Sequence, residues 1–315
     1  AHIAVALPFL SFVVMFLCWW IFGRDPFSLA SLARPMKLSK DLPPAVVGAL
    51  WHQGVGVEAM TATCLDLARR GYLSLVYHPV VQGSEEGTWR FERIERVNEQ
   101  GLLSYERLVF KSVTLSHGDF VVSDQISGSL AIVFATLKQH LVEELLQRKL
   151  FVTDPLRARG IWVVPVIAMM IFSFVFLAPQ SLILFLSGML SAGIIAVFAW
   201  FMPKTTPEGA RLTREIEALR QFLQATVAEH ITWAETPANR VLLTAELLPT
   251  AVALGVAPVW IEHARDAQML NLSYIRGLEA NEETYADAIA HLHLEFARLV
   301  HGSPVVSHPP RETPE

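Results

Sequence analysis

The chain has 315 residues, 52% of them hydrophobic, with 25 basic and 30 acidic side chains and a net charge of −5. That apolar share exceeds the range of about 45 to 50% usual for soluble domains, and so excludes an ordinary water-soluble fold. Two cysteines, Cys18 in an apolar run and Cys64 in a soluble helix, exclude a disulfide framework, and both read as small buried hydrophobes.

The apolar residues are concentrated. No charged side chain occurs from Ala1 to Gly23, nor in the 44 residues between Arg159 and Lys204. A helix crossing a bilayer core needs about 20 apolar residues, so the first interval predicts one span from Ile3 to Phe22. Trp19 and Trp20 at its end suit the headgroup boundary, and Arg24 acts as the stop. A secretory signal would need a positive start and a small-residue cleavage site, and neither is visible. The absence of a starting methionine suggests a piece of something longer.

Between Leu42 and Ile94 the pattern reads helix, helix, hairpin, which is the order of a winged-helix module. Pro44 to His52 forms the first helix. Val57 to Arg70 forms the second, with Met60, Cys64 and Leu67 on one face and Gly71 as a left-handed cap. Tyr72 to His78 and Thr88 to Ile94 alternate as strands. A second unit follows with a helix at Ser104 to Leu115, a strand at Phe120 to Val122 and a long amphipathic helix at Ser129 to Lys149. Its stripe of Leu130, Phe134, Leu137, Leu141 and Leu145 predicts core packing.

The second apolar interval is too long for one helix and divides at Ala178-Pro179-Gln180-Ser181, giving a tight hairpin of two spans. In its second arm Ser187, Gly188, Ser191, Ala192 and Gly193 form a small-residue face, suited to close packing of another helix or within the hairpin. Beyond it, helices are predicted at Arg211 to Trp233, Glu246 to Ala267 and Glu282 to Val300. The Pro-rich end from Ser303 to Glu315 reads as disordered. Leu247, Leu248, Val252, Leu254, Val256, Val259 and Trp260 are too apolar to stand in water, so residues 204–302 are expected to pack on residues 24–159.

Charge distribution predicts the topology. Sixteen basic residues lie between the first and second spans, nine after the third, and none elsewhere. By the positive-inside rule the amino terminus is outside and both soluble segments are cytoplasmic.

Four motifs then carry a resemblance: Gly23-Arg24-Asp25-Pro26 after the first span; Ala68-Arg69-Arg70-Gly71-Tyr72-Leu73; Leu102 to Leu108 with Tyr105-Glu106-Arg107; and Leu248-Pro249-Thr250-Ala251-Val252-Ala253-Leu254-Gly255-Val256 followed by Trp260. In this order, with the hairpin before the last, the chain resembles the YciQ-like predicted membrane proteins, a bacterial domain-of-unknown-function family. The resemblance implies an extracytoplasmic β-rich domain ahead of the first span, a tyrosine where Thr250 stands and a Gly/Ser-rich tail, and this sequence departs from all three. It implies no activity.

Candidate chemistry is sparse. His291, His293 and Glu295 suggest a metal at first sight, but alternate positions on a helix face different sides. There is no phosphate loop, Gly-x-Ser-x-Gly elbow or Cys-x-x-Cys pair. Apart from Cys18, the spans hold no ionisable side chain, which counts against a transporter. Residues 24–159 carry 16 basic and 15 acidic side chains, too near balance for duplex DNA.

The resulting expectation is a mainly α membrane protein with three transmembrane helices, an α+β tandem winged-helix-like cytoplasmic domain and carboxy-terminal cytoplasmic helices. Its segments are 1–23, 24–159, 160–203, 204–302 and 303–315. It is read as a non-enzymatic scaffold of the bacterial inner membrane, contacting lipids and protein partners in the cytoplasm or within the membrane. No cofactor, metal or nucleic acid is favoured. The alternatives are a membrane-tethered nucleic-acid-binding regulator and an envelope or lipid enzyme or transport subunit.

Overall fold

The structure is a computed structural model and describes residues 2–23, 41–78, 88–94, 99–114, 120–121, 127–200, 205–224, 237–266, 274–277 and 283–301. Its elements in chain order are α1 (His2–Cys18), α2 (Pro44–His52), α3 (Val57–Arg69), β1 (Leu73–His78), β2 (Thr88–Arg93), α4 (Ser104–Thr114), β3 (Phe120–Val121) and α5 (Ser127–Gln147). They continue with α6 (Pro155–Phe172), α7 (Leu182–Trp200), α8 (Pro207–Gln224), α9 (Pro237–Ala253), α10 (Ala257–Asp266), β4 (Ile275–Arg276) and α11 (Glu283–His301). The chain divides into two compact units, one of residues 1–34 and 142–216 and the other of residues 35–141 and 217–315.

In the first unit α6 and α7 form the expected hairpin, turning at residues 178–181, and α1 packs on α7. Two stretches, Gly160–Leu177 and Leu182–Trp200, are long and apolar enough to cross a membrane; the apolar part of α1, Ala6–Ile21, is shorter. Of the three expected spans, these two have the length and composition of a crossing helix, and the first is seen as a shorter apolar helix. Both α1 and α6 end in a wide π-helical turn, Trp19–Gly23 and Ser173–Leu177.

The small-residue face lies partly inside the hairpin. Gly188 meets the Ser173 hydroxyl and Leu177 of the opposite arm so closely that a Cβ would collide with them. Ser173 Oγ donates to the Phe185 carbonyl across the hairpin at 2.9 Å, and Ser191 Oγ donates back to the Ser187 carbonyl at 3.0 Å, so neither hydroxyl is left bare in apolar surroundings. Ser187, Gly188, Ser191 and Ala192 are buried, whereas Gly193 faces open space.

The second unit is built around α3. Every residue from Ala59 to Ala68 is buried, because α2, α4, α9, α11 and β1 all pack against it. A one-sided amphipathic helix was expected, but the carboxy-terminal helices cover its remaining surface. Thr61 and Thr63 tolerate this because their hydroxyls bond the carbonyls of Val57 and Ala59 one turn back. Full burial of Met60, Leu65 and Leu67 contributes about 1.5 to 3 kcal/mol each.

Beside α3 stands a small sheet of order β3-β2-β1-β4. β1 and β2 are antiparallel from Leu73↔Arg93 to His78↔Thr88, and β4 joins β1 in parallel at Leu75↔Ile275. β3 pairs with β2 at Phe91↔Phe120. The strand assigned to a second module therefore extends the sheet of the first, and among the described residues two tandem modules with separate sheets are not seen. The helical region expected at Glu246 to Ala267 is likewise two helices, broken at Gly255, whose φ is +70°.

Gly71, at φ +79°, ends α3: its N–H reaches the Ala68 carbonyl and that of Tyr72 reaches Leu67, both at 2.9 Å. Since a Cβ here would meet nothing within 4 Å, the demand on this residue is conformational, not steric. Gly71→Ala should cost about 1 kcal/mol and Gly71→Val somewhat more, with Gly71→Asn milder, because asparagine tolerates this backbone region best. Thermal unfolding of the full chain in detergent measures the order, and an unchanged midpoint for Gly71→Val would remove the cap.

Candidate functional site

The last turn of α3 places Asp66, Arg69 and Arg70 beside the start of α4. Arg70 Nε meets Asp66 Oδ2 at 2.9 Å while its Nη2 meets Glu106 Oε1 at 2.7 Å, so one guanidinium spans two carboxylates. Arg69 adds two bonds to Asp66 Oδ1, at 2.8 and 3.1 Å. The other oxygen of Glu106 accepts the Leu103 N–H at 3.0 Å, satisfying one of the donors that the amino-terminal end of α4 leaves open.

Both carboxylates are buried, Asp66 4% and Glu106 2% exposed, and an unpaired buried charge costs several kcal/mol. Burial works against the Arg70 charge too, but the adjacent Asp66 and Glu106 outweigh it and hold the guanidinium more firmly protonated than usual. Its Cζ stands 5.4 Å from the Tyr72 ring centroid, and Tyr72 meets Phe110 of α4 edge to face. Arg70, Gly71, Tyr72, Leu73, Tyr105 and Glu106, drawn from two separate motifs, thus converge at one corner, with Leu73 and Tyr105 in the core beneath it.

The remaining motif residues do not join this corner. Gly23 ends the turn after α1, and Arg24, Asp25 and Pro26 lie outside the described residues. Leu248, Pro249, Leu254, Gly255 and Trp260 build the bend between α9 and α10. There the Gly255 N–H reaches the Val252 carbonyl at 3.1 Å and the Val256 N–H reaches Ala251 at 2.9 Å, a second glycine-closed helix end. Leu254 and Trp260 are buried under it. α9 meets α2 at Gly48, where a Cβ would press on the Ala253 carbonyl, and His52 of α2 bonds that same carbonyl at 3.2 Å.

Tyr274 is a residue that sequence reasoning missed. Pro249, inside α9, has no N–H to give to the carbonyl of Ala245 four residues back, and the Tyr274 hydroxyl donates to that carbonyl at 3.1 Å. The backbone of Tyr274 leads into β4, so this bond ties β4 to α9. A proline within a helical pattern was the available signal: it announces an unpaired carbonyl, though not its partner. Burial raises the Tyr274 phenol pKa well above the usual range, with Arg69 opposing and Asp66 adding to the shift.

His291 and His293 face opposite sides of α11. His291 Nε2 is 3.9 Å from Glu295 and its ring lies edge-on to Tyr77, whereas His293 Nδ1 is 3.4 Å from the Thr61 hydroxyl of α3. Among the described residues no three potential ligands come together around a metal position.

A family model described as predicted membrane protein (DUF2207) C-terminal domain matches residues 36–263. The chain belongs to this family. No curated protein and no solved structure matches it. In this DUF2207 chain the matched interval contains the Arg70–Glu106 corner, the hairpin and the Gly255 bend, while Tyr274 and α11 lie beyond it.

Two outcomes follow from the Pro249–Tyr274 pair. Tyr274→Phe should destabilise the fold by about 1 kcal/mol, and by less in a Pro249→Ala background, where a restored backbone N–H serves Ala245 instead. Additive costs in a double-mutant cycle would refute the pairing. Because the folded state holds the phenol proton more tightly than the unfolded chain, this group's contribution is intact below the ordinary tyrosine pKa of about 10 and is lost as pH rises above it. The unfolding midpoint should therefore fall on the alkaline side, less steeply in Tyr274→Phe.

Proposed function

We propose that the protein is a non-enzymatic, membrane-anchored scaffold or assembly component of the bacterial cytoplasmic membrane. It inserts through the α6–α7 hairpin together with α1, keeps its amino terminus outside and presents the second unit to the cytoplasm. The observation that carries this reading is the fate of the motif charges. Asp66, Arg69, Arg70 and Glu106 are spent on one another and on a helix cap, which gives them the role of holding a rigid binding body rather than attacking a substrate.

The order α2, α3, β1, β2 is that of a winged-helix-like module, and the setting of its second helix favours protein over nucleic acid as partner. A helix reading a major groove must offer side chains to base edges, yet α3, in the position of a recognition helix, is covered by α9 and α11. Apolar side chains remain available elsewhere on this unit, with Ile132 71% and Leu294 65% exposed.

A reporter fused beyond residue 301 should be cytoplasmic, and one inserted between Pro179 and Gln180 should lie outside; the reverse pattern would overturn the orientation. A photo-crosslinking residue at position 132 or 294 should trap one discrete protein in cells. If neither site yields a protein adduct while the purified full chain binds duplex DNA with a steep salt dependence, the regulator displaces the scaffold.

A further inference from the structure

Helix α11 carries apolar side chains on two opposite faces. Ala288, Ile289, Leu292 and Phe296 are buried, and Phe296 meets Phe91 of β2, so this face belongs to the core. At 3.6 residues per turn Leu294 points the other way, and it is 65% exposed. Asp287 and Ala290 are exposed on the same side, with Ala297 half-buried beside them. Asp287, Ala290, Leu294 and Ala297 follow at intervals of three, four and three residues, which is the spacing of a coiled-coil seam.

The order of these residues specifies the partner. In an antiparallel pair of such seams centred on position 292, Leu294 of each copy lies over Ala290 of the other, and Ala297 over Asp287. A large side chain then fills the space a small one leaves, on both sides of the two-fold axis. Arg298, which meets Glu295 at 3.6 Å within its own helix, comes beside Asp287 of the other copy, an opposite charge. A parallel pair would set Leu294 on Leu294 and Asp287 on Asp287, with like charges opposed. The stripe is complementary to itself in one direction only.

We propose that the outer face of α11 is an interaction surface for a second copy of the chain, taken up as an antiparallel helix pair in which Leu294 packs on Ala290. The inference rests on reading Leu294 as a contact residue of the scaffold, and names the protein that it contacts. Copies confined to one membrane meet at a raised effective concentration, which favours a seam as short as this.

Two differently tagged full-length copies, co-expressed, test the pairing. Ala290→Cys in one copy and Leu294→Cys in the other should give a mixed disulfide well above the background set by Cys18 and Cys64 in the parent chain, whereas Asp287→Cys in both should give none. No mixed disulfide, or one between the two positions 287, would overturn the proposal. Leu294→Glu tests it without added cysteine: recovery of one tag with the other should fall about tenfold or more, the equivalent of one leucine's burial, with an unchanged unfolding midpoint. Undiminished recovery would overturn the pairing. The scaffold fails separately: a disulfide between positions 290 and 294, with a photo-crosslinker at 132 trapping no protein, keeps the pair and removes the scaffold, whereas a foreign protein trapped at 132 or 294 without that disulfide does the reverse.

Discussion

The guanidinium of Arg70 is the tie on which the second unit depends. Asp66 belongs to α3 and Glu106 to α4, both are buried, and a buried charge without an opposite charge beside it costs several kcal/mol. Arg70 reaches both from the end of α3, with its edge still toward solvent, so the two helices are fixed at the separation one planar fork can span. Gly71 then turns the chain, Tyr72 lies along the same guanidinium, and β1 starts directly afterwards. The position of the sheet relative to α3 follows from that turn.

What surrounds this tie obeys one constraint, that a buried backbone group must find a partner. The ends of α3 and α9 solve it with glycines that bend the chain back on its own carbonyls. Pro249 creates a deficit that Tyr274 repairs from another segment, and the repair brings β4 alongside β1. In the hairpin, where the surroundings offer no alternative partner, Ser173 and Ser191 turn their hydroxyls onto carbonyls. Polar atoms at these points are used to close the structure.

That use bears on function. A catalytic constellation needs groups that face a space where a substrate can stand, whereas Asp66, Arg70 and Glu106 of the family motifs face one another. In the scaffold we propose, the exposed Ile132 and Leu294 of the second unit are the side chains offered to other proteins.

The local elements were legible in the sequence alone. An uncharged run of 44 residues with Pro179 near its middle can only be a pair of apolar helices, and α2, α3 and the β1–β2 hairpin begin and end within a residue or two of their signals, because caps and periodicity are properties of neighbouring residues. The Arg70 and Glu106 motifs also stood out, but nothing showed that they touch, since no local rule links positions 36 residues apart. It took the folded chain to establish that β3 and β4 join one sheet, that α3 is covered on every side and that Tyr274 answers Pro249. The start of α8 shows the same division: apolar periodicity placed this helix from Arg211, whereas it begins at Pro207 behind Thr206, whose hydroxyl bonds the carbonyls of Lys149 and Leu150, supplied by a segment whose approach depends on tertiary packing.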